Sequence, residues 1–306
     1  MLNHEMACYL RLQSTKGIGQ KRLRALLTKS KDANLSLAAV YELPPNRIAQ
    51  EFDLPEKLVN TLLETPVPTD PLEELAKKSI QLFPLNAPLF PQQLIRTLGD
   101  DCPPLLYAWG NLGLLNEPSV GFCGSGKTSS KGLDIVRDAT LQLVEQKIVI
   151  ISGHAAGVDI TAHQTAVEAG GKTIIVAPQG ILAFKIQASL KKWANAQNLL
   201  VLSEFFPTSA WSVGNAMARN KTIIGLSDAM ILVESSLEGG TFDAGKTALK
   251  YDVPLYVVEY QDPLAGSEGN RYFIEYGAVA INRRRETNQA NLTRLISQVV
   301  TKHRAT

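Results

Sequence analysis

Cysteine is scarce in this sequence: three among 306 residues (Cys8, Cys102 and Cys123), far apart and odd in number. That excludes a disulfide-stapled scaffold, and no Cys-x-x-Cys or His-x-x-x-His spacing offers a zinc site. An excess of one charge is also missing, since 31 basic residues face 29 acidic ones and leave a net +2. A histone-like field is therefore excluded, and any affinity for nucleic acid must come from a local patch. No apolar run approaches the roughly 20 residues needed to cross a bilayer, and the amino terminus is polar, without a signal-peptide core. The expected setting is cytoplasmic, with no membrane partner. No Ser/His/Asp set and no paired carboxylates stand out, so no catalytic residue, metal or cofactor is nominated, and a binding protein is expected rather than an enzyme.

What is present is glycine, 22 residues of it, and a repeating pattern of short apolar runs. Residues 1–65 read as a small helical domain, with Leu10, Leu12, Ile18, Leu23, Leu26 and Leu27 near helical spacing. Lys16-Gly17-Ile18-Gly19 interrupts them. It reads as a helix–hairpin–helix whose amides hold a DNA phosphate, or as a plain turn needing glycine. Proline-rich residues 66–78 read as a linker, and 79–306 as the main domain. Strands are predicted at 120–123, 148–152, 173–177, 199–203, 229–234 and 255–258. Helices are predicted at 132–146, 158–169, 184–194, 216–226 and 241–251, with a terminal amphipathic helix at 288–302. Near-continuous Val/Ile/Leu strands separated by helices predict a Rossmann-like α/β fold, a mostly parallel sheet with helices on both faces.

Small residues cluster just after three of the strands. The first cluster is Gly124-Ser125-Gly126-Lys127-Thr128-Ser129, the second Ser152-Gly153-His154-Ala155-Ala156-Gly157, the third Gly239-Gly240-Thr241 at the start of a helix. Turns of this kind on one sheet edge aim backbone N–H groups at a single crevice and attract phosphate. Residues 121–128 also satisfy the G-x-x-x-x-G-K-[ST] expression, which would place Lys127 on phosphates and Thr128 on magnesium, with Glu234 as acidic partner. Gly132 counts against that reading, because it stands where a P-loop helix should be running. Arg219 opens a helix beside the crevice, as a ligand-facing cation or as a buried partner of Glu204 or Glu234. Asn220 and Lys221 adjoin it, and Lys172 and Arg283-Arg284-Arg285 add positive field. Asp159 reads as a helix cap, His163 as a packed core histidine and Cys123 as a core thiol.

Taken in order, these residues resemble the DprA/Smf DNA-processing family. The resemblance runs through Pro103-Pro104-Leu105-Leu106-Tyr107, then Ser152-Gly153-x-Ala155-x-Gly157-Val158-Asp159 with Ala162-His163. It continues through Ala169-Gly170-Gly171-Lys172, Ser203-Glu204, Arg219-Asn220-Lys221, Val233-Glu234 and Gly240-Thr241. It implies an extended Rossmann fold that binds single-stranded DNA, as a homodimer, and helps load a RecA-type recombinase during transformation. Several positions depart from the family pattern. Gly126 stands where the family carries arginine, Ala216 where it carries phenylalanine, and Ser212-Val213-Gly214 replaces a lysine-bearing stretch. Trp211 is a substitute stacking surface. The chain stops where many members continue into a winged-helix domain. Two further readings follow from the same crevice: a sensor or processor of a nucleotide-derived small ligand, and a P-loop NTPase.

Overall fold

The computed structural model describes residues 2–261 and 264–304. Six helices come first: α1 (Leu2–Ser14), α2 (Gln20–Asp32), α3 (Leu37–Tyr41), α4 (Pro45–Phe52), α5 (Glu56–Glu64) and α6 (Thr69–Lys77). Leu12, Leu23, Leu26, Leu27, Val40, Ile48, Val59 and Leu62 form their shared core. In the Lys16–Gly19 turn the Ile18 amide is already bonded to the Thr15 carbonyl at 3.0 Å. Where prolines predicted a linker, α6 forms instead. Pro71 lies in its first turn, where proline is tolerated, and Leu75 is buried with Leu10, Ile80, Tyr107 and Ile181.

The remainder builds around one sheet. Its elements are β1 (Gln81–Pro84), α7 (Gln92–Leu98), β2 (Leu105–Gly110), β3 (Ser119–Cys123), α8 (Ser130–Glu145), β4 (Val149–Ser152), α9 (Val158–Glu168) and β5 (Thr173–Val176). They continue with α10 (Ala188–Lys191), β6 (Leu199–Ser203), α11 (Val213–Leu226), β7 (Ala229–Leu232), α12 (Gly240–Lys250), β8 (Leu255–Val258), α13 (Glu268–Glu275), β9 (Val279–Ile281) and α14 (Thr293–Arg304). Nine strands run in the order β1-β2-β6-β5-β4-β3-β7-β8-β9. The β1–β2 and β2–β6 pairs are antiparallel and the rest parallel.

Strands β4 to β8 are wholly buried because both faces are covered, which is why they read as unbroken apolar runs. On one face Leu94, Leu98, Ile223, Ile224, Ala244 and Phe273, from α7, α11, α12 and α13, pack on the sheet. On the other, Val136, Leu143, Ala162, Leu295 and Val299 do so from α8, α9 and α14. From β3 the chain steps outward through β4, β5 and β6, then returns to lay β7 on the opposite side of β3. That reversal is the topological switch point, where an open α/β sheet leaves a crevice at the carboxyl ends of its strands. Among the described residues, no helix is long and apolar enough to cross a membrane.

Candidate functional site

The three glycine-rich loops follow β3, β4 and β7, the strands that flank the switch point, so they meet at one edge. Contact between the first two is direct. A Cβ on Gly157, whose φ is +81°, would lie 2.6 Å from the Ser125 carbonyl oxygen and 3.0 Å from Gly126. The third loop lies near the first, with the Thr241 hydroxyl close enough to the Cys123 thiol at the end of β3 to lower its pKa. Asn220 Nδ2 reaches the Gly240 carbonyl at 3.5 Å and ties α11 to α12.

Arg219 lies beneath the second glycine loop, its guanidinium packed against Gly153. It is only 6% exposed, and its Nε and Nη1 atoms are buried without a hydrogen-bond partner. Burial pulls its pKa down, while Asp159, Cys123 and Glu204 are the acidic groups near enough to oppose that pull. A guanidinium stays charged at any physiological pH, so this is a desolvated cation with unmet donors, a costly state unless an anion completes it. The Asp159 carboxylate is already engaged, accepting from the Ala155 amide at 3.1 Å and the Ser152 hydroxyl at 2.9 Å. Burial pushes its pKa up despite the nearby Arg219 charge. Asp159 is therefore not the cap of α9, a role taken by Gly157; it fastens the second loop to the helix. Glu204 accepts the Thr222 hydroxyl, and burial pushes its pKa up as well. Burial drives the Cys123 thiol up to about 12, so it is inert near neutrality.

The first loop does not resemble a loaded phosphate cradle. Glu234, 4% exposed, accepts the Ser129 amide at 2.9 Å and the Ser129 hydroxyl, and it also accepts the Tyr260 hydroxyl at 3.0 Å. Ser129 in turn caps α8 by accepting the Gly132 amide. A carboxylate thus occupies the positive end of α8, where a P-loop enzyme would seat a phosphate. Thr128 donates its hydroxyl to the Ser125 carbonyl at 2.5 Å and is not free for magnesium. Among the described residues, no group of three or more His, Cys, Asp or Glu could hold a metal ion.

Gly124, Ser125, Gly126, Lys127, Thr128, Ser129, Ser152, Gly153, His154, Ala155, Gly157, Arg219, Asn220, Gly239, Gly240 and Thr241 all lie at this edge, with Lys127 exposed at the loop tip. Two nominated residues do not. Lys172 precedes β5, so it sits at the amino-terminal edge of the sheet, and it pairs with Glu117 at 2.8 Å. Lys221 is two residues past Arg219, about 200° around the helix, and points instead to Asp101 at 3.3 Å. His154 lies at the rim, with its ring centroid 4.7 Å from that of Phe184. Tyr260 was missed because no motif marks a lone tyrosine after a strand.

His163 is fully buried, with its Nε2–H donating to the Gly153 carbonyl at 2.6 Å and the Thr173 hydroxyl 2.6 Å from Nδ1. Burial lowers its pKa to about 4. Since the unfolded value is roughly 6.5, its contribution to stability is complete above that pH and is lost as pH falls towards 4, by about 3 kcal/mol. Urea midpoints at pH 7 and pH 4.5 are expected to separate more for wild type than for His163→Gln. Equal separations would show that this imidazole does not govern acid sensitivity.

The sequence profile of the DNA recombination-mediator protein A family matches residues 81–291. DNA processing protein DprA of Streptococcus pneumoniae is 33% identical over 180 residues, 58% of this chain and 63% of that protein, so the match spans less than two thirds of its length. Protein Smf of Synechocystis is 27% identical over 289 residues, 92% of this chain and 71% of that one. The crystal structure of S. pneumoniae DprA matches with a TM-score of 0.75 at 24% identity, over 99% of this chain and 98% of that chain, and shares the fold. DNA processing protein A of Helicobacter pylori, whose structure concerns its single-stranded DNA binding mode, matches at 0.59 and 28% identity over 73% of this chain and 96% of its own. The profile covers more than half of the sequence and the same crevice loops fall inside it: this chain belongs to the DNA recombination-mediator protein A family, the DprA/Smf DNA-processing proteins.

Proposed function

We propose that this chain binds single-stranded DNA in the switch-point crevice and acts as a DNA-processing protein in recombination. The observation that carries the reading is Arg219, a buried cation whose unmet donors lie against the second glycine loop at Gly153. A backbone phosphate would complete that guanidinium, and contact through phosphate carries no base preference. Lys127 at the exposed tip adds a second cation in place of the family's arginine at position 126. Support comes also from the H. pylori relative and its single-stranded DNA binding mode. In this reading the chain works as a homodimer and delivers the strand to a RecA-type recombinase.

The test is a fluorescence-anisotropy titration with oligo-dT of about 35 nucleotides at low and physiological salt, with a duplex control. The expected result is binding to the single strand that weakens steeply with salt, and little binding to the duplex. Absence of binding at low salt would sink the reading. Thermal stabilisation by mononucleotides in its place would move the crevice to a small nucleotide ligand.

A further inference from the structure

The crevice is not the end of the basic surface on this edge. Beyond it, a groove of about 660 Å³ runs between the first turn of α8 and the segment that follows β9. Lys131, Arg283, Arg284 and Arg285 line it, against one carboxylate among the described residues, Glu259, and the ring of Tyr260. The wall shared with the crevice is short. Tyr260 donates to Glu234, and Glu234 holds Ser129 of the first glycine loop.

Two features separate these arginines from an ordinary solvated run. The first is order: Arg283 bridges Ala290, the Arg284 amide donates to the Gln289 carbonyl at 2.8 Å, and the Asn288 amide returns to the Arg284 carbonyl at 2.9 Å. The cations are thus carried on a fixed turn. The second is pairing. Among the described residues, Lys172, Lys221, Lys246, Lys250 and Arg271 are each neutralised by a carboxylate, whereas no ion pair reaches Lys131 or the three arginines. Arg283 spends one N–H on the Asn288 carbonyl and Arg284 one on the Thr293 hydroxyl; each guanidinium has five. Among the described residues, the other N–H groups of these two side chains have no hydrogen-bond partner.

We propose that this groove is a second phosphate tract, which takes the sugar–phosphate backbone of the same strand as it leaves the crevice past Ser129 and Tyr260. The proposal rests on the crevice reading and adds to it a direction of travel across the protein. A polyanion of repeating phosphates fits the groove, because unpaired cations along a line gain most from a ligand that releases a counterion at each one.

The experiment compares oligo-dT of about six and about 20 nucleotides on wild type and on a combined Arg283→Ala, Arg284→Ala, Arg285→Ala variant. Removing three phosphate contacts is expected to reduce the slope of log K against log salt for the longer strand by about 2. Its affinity should fall at least tenfold, with the shorter strand unaffected. If loss of the Arg284–Thr293 bond unfolds the turn, Lys131→Glu with Arg285→Glu tests the same tract, since among the described residues neither side chain holds a structural bond. Unchanged binding of the longer strand overturns the tract and leaves the crevice intact, and so does an equal loss for both lengths. Failure of wild type to bind either length brings down the crevice reading and this one together.

Discussion

Gly153→Ala is expected to lower stability by about 1–3 kcal/mol and to abolish oligonucleotide binding in the same stroke. An added Cβ would meet Arg219 Nη1 at 1.7 Å, its Cζ at 2.5 Å and Asp159 Oδ2 at 2.5 Å. An exposed arginine would swing aside at little cost. Arg219 cannot, because it is a buried residue of α11 packed against the second loop. The single methyl therefore evicts the guanidinium from its buried seat beneath the second loop. A double variant separates the two consequences. Gly153→Ala combined with Arg219→Ala should regain part of the lost stability, since the contact with the guanidinium is gone and only that with Asp159 Oδ2 remains, but none of the binding. Urea denaturation and anisotropy on the three variants check this. Additive stability losses would show that the methyl strains something other than Arg219.

Arg219→Met carries the second large effect, in the opposite balance. Hydrogen bonds to a charged group contribute about 1.5–3 kcal/mol, so losing the phosphate contact should weaken oligonucleotide binding by about 10- to 100-fold. Stability should change by less than about 1 kcal/mol or even rise, because an apolar side chain of similar length replaces a buried cation with unmet donors. This pairing of lost affinity with retained stability marks a residue kept for its ligand. A variant that loses several kcal/mol of stability but still binds the strand would place Arg219 as an internal counter-charge for Asp159 and Glu204.

Much of this was legible beforehand, and the exceptions have physical causes. The strand predicted at 255–258 is β8, and five of the six predicted strands differ from the observed ones by no more than a residue at either end. Parallel strands covered on both faces write themselves as apolar runs. The antiparallel β1 and β2 are absent from the predicted strands, because Pro103 and Pro104 precede β2 and mask its start. The helix expected over 184–194 shrinks to α10 (Ala188–Lys191). Upstream of it the chain is drawn into long-range pairing, with Gly180 bonded to Ser209 and Leu182 to Pro207. No local propensity anticipates such bonds.

The site divides in the same way. Glycine turns after strands announce a crevice, and all three were visible. What a linear reading could not weigh was direction. Lys172 adjoins a strand, but at its wrong end. Lys221 neighbours Arg219 in sequence yet faces Asp101 across the helix. Glu234 looked like a magnesium partner because it follows a strand. In space it is the clasp that fixes Ser129 and Tyr260.

The open sheet has one further consequence, for how copies of the chain can assemble. An unclosed sheet leaves two outer strands with unpaired backbone groups, which invite strand-to-strand joining and aggregation. Here both are blunted. β1 is four residues long and ends on Pro84, which has no N–H to offer, and β9 is three residues long and runs straight into Arg283-Arg284-Arg285. Strand-to-strand joining of copies through either border of the sheet is therefore disfavoured.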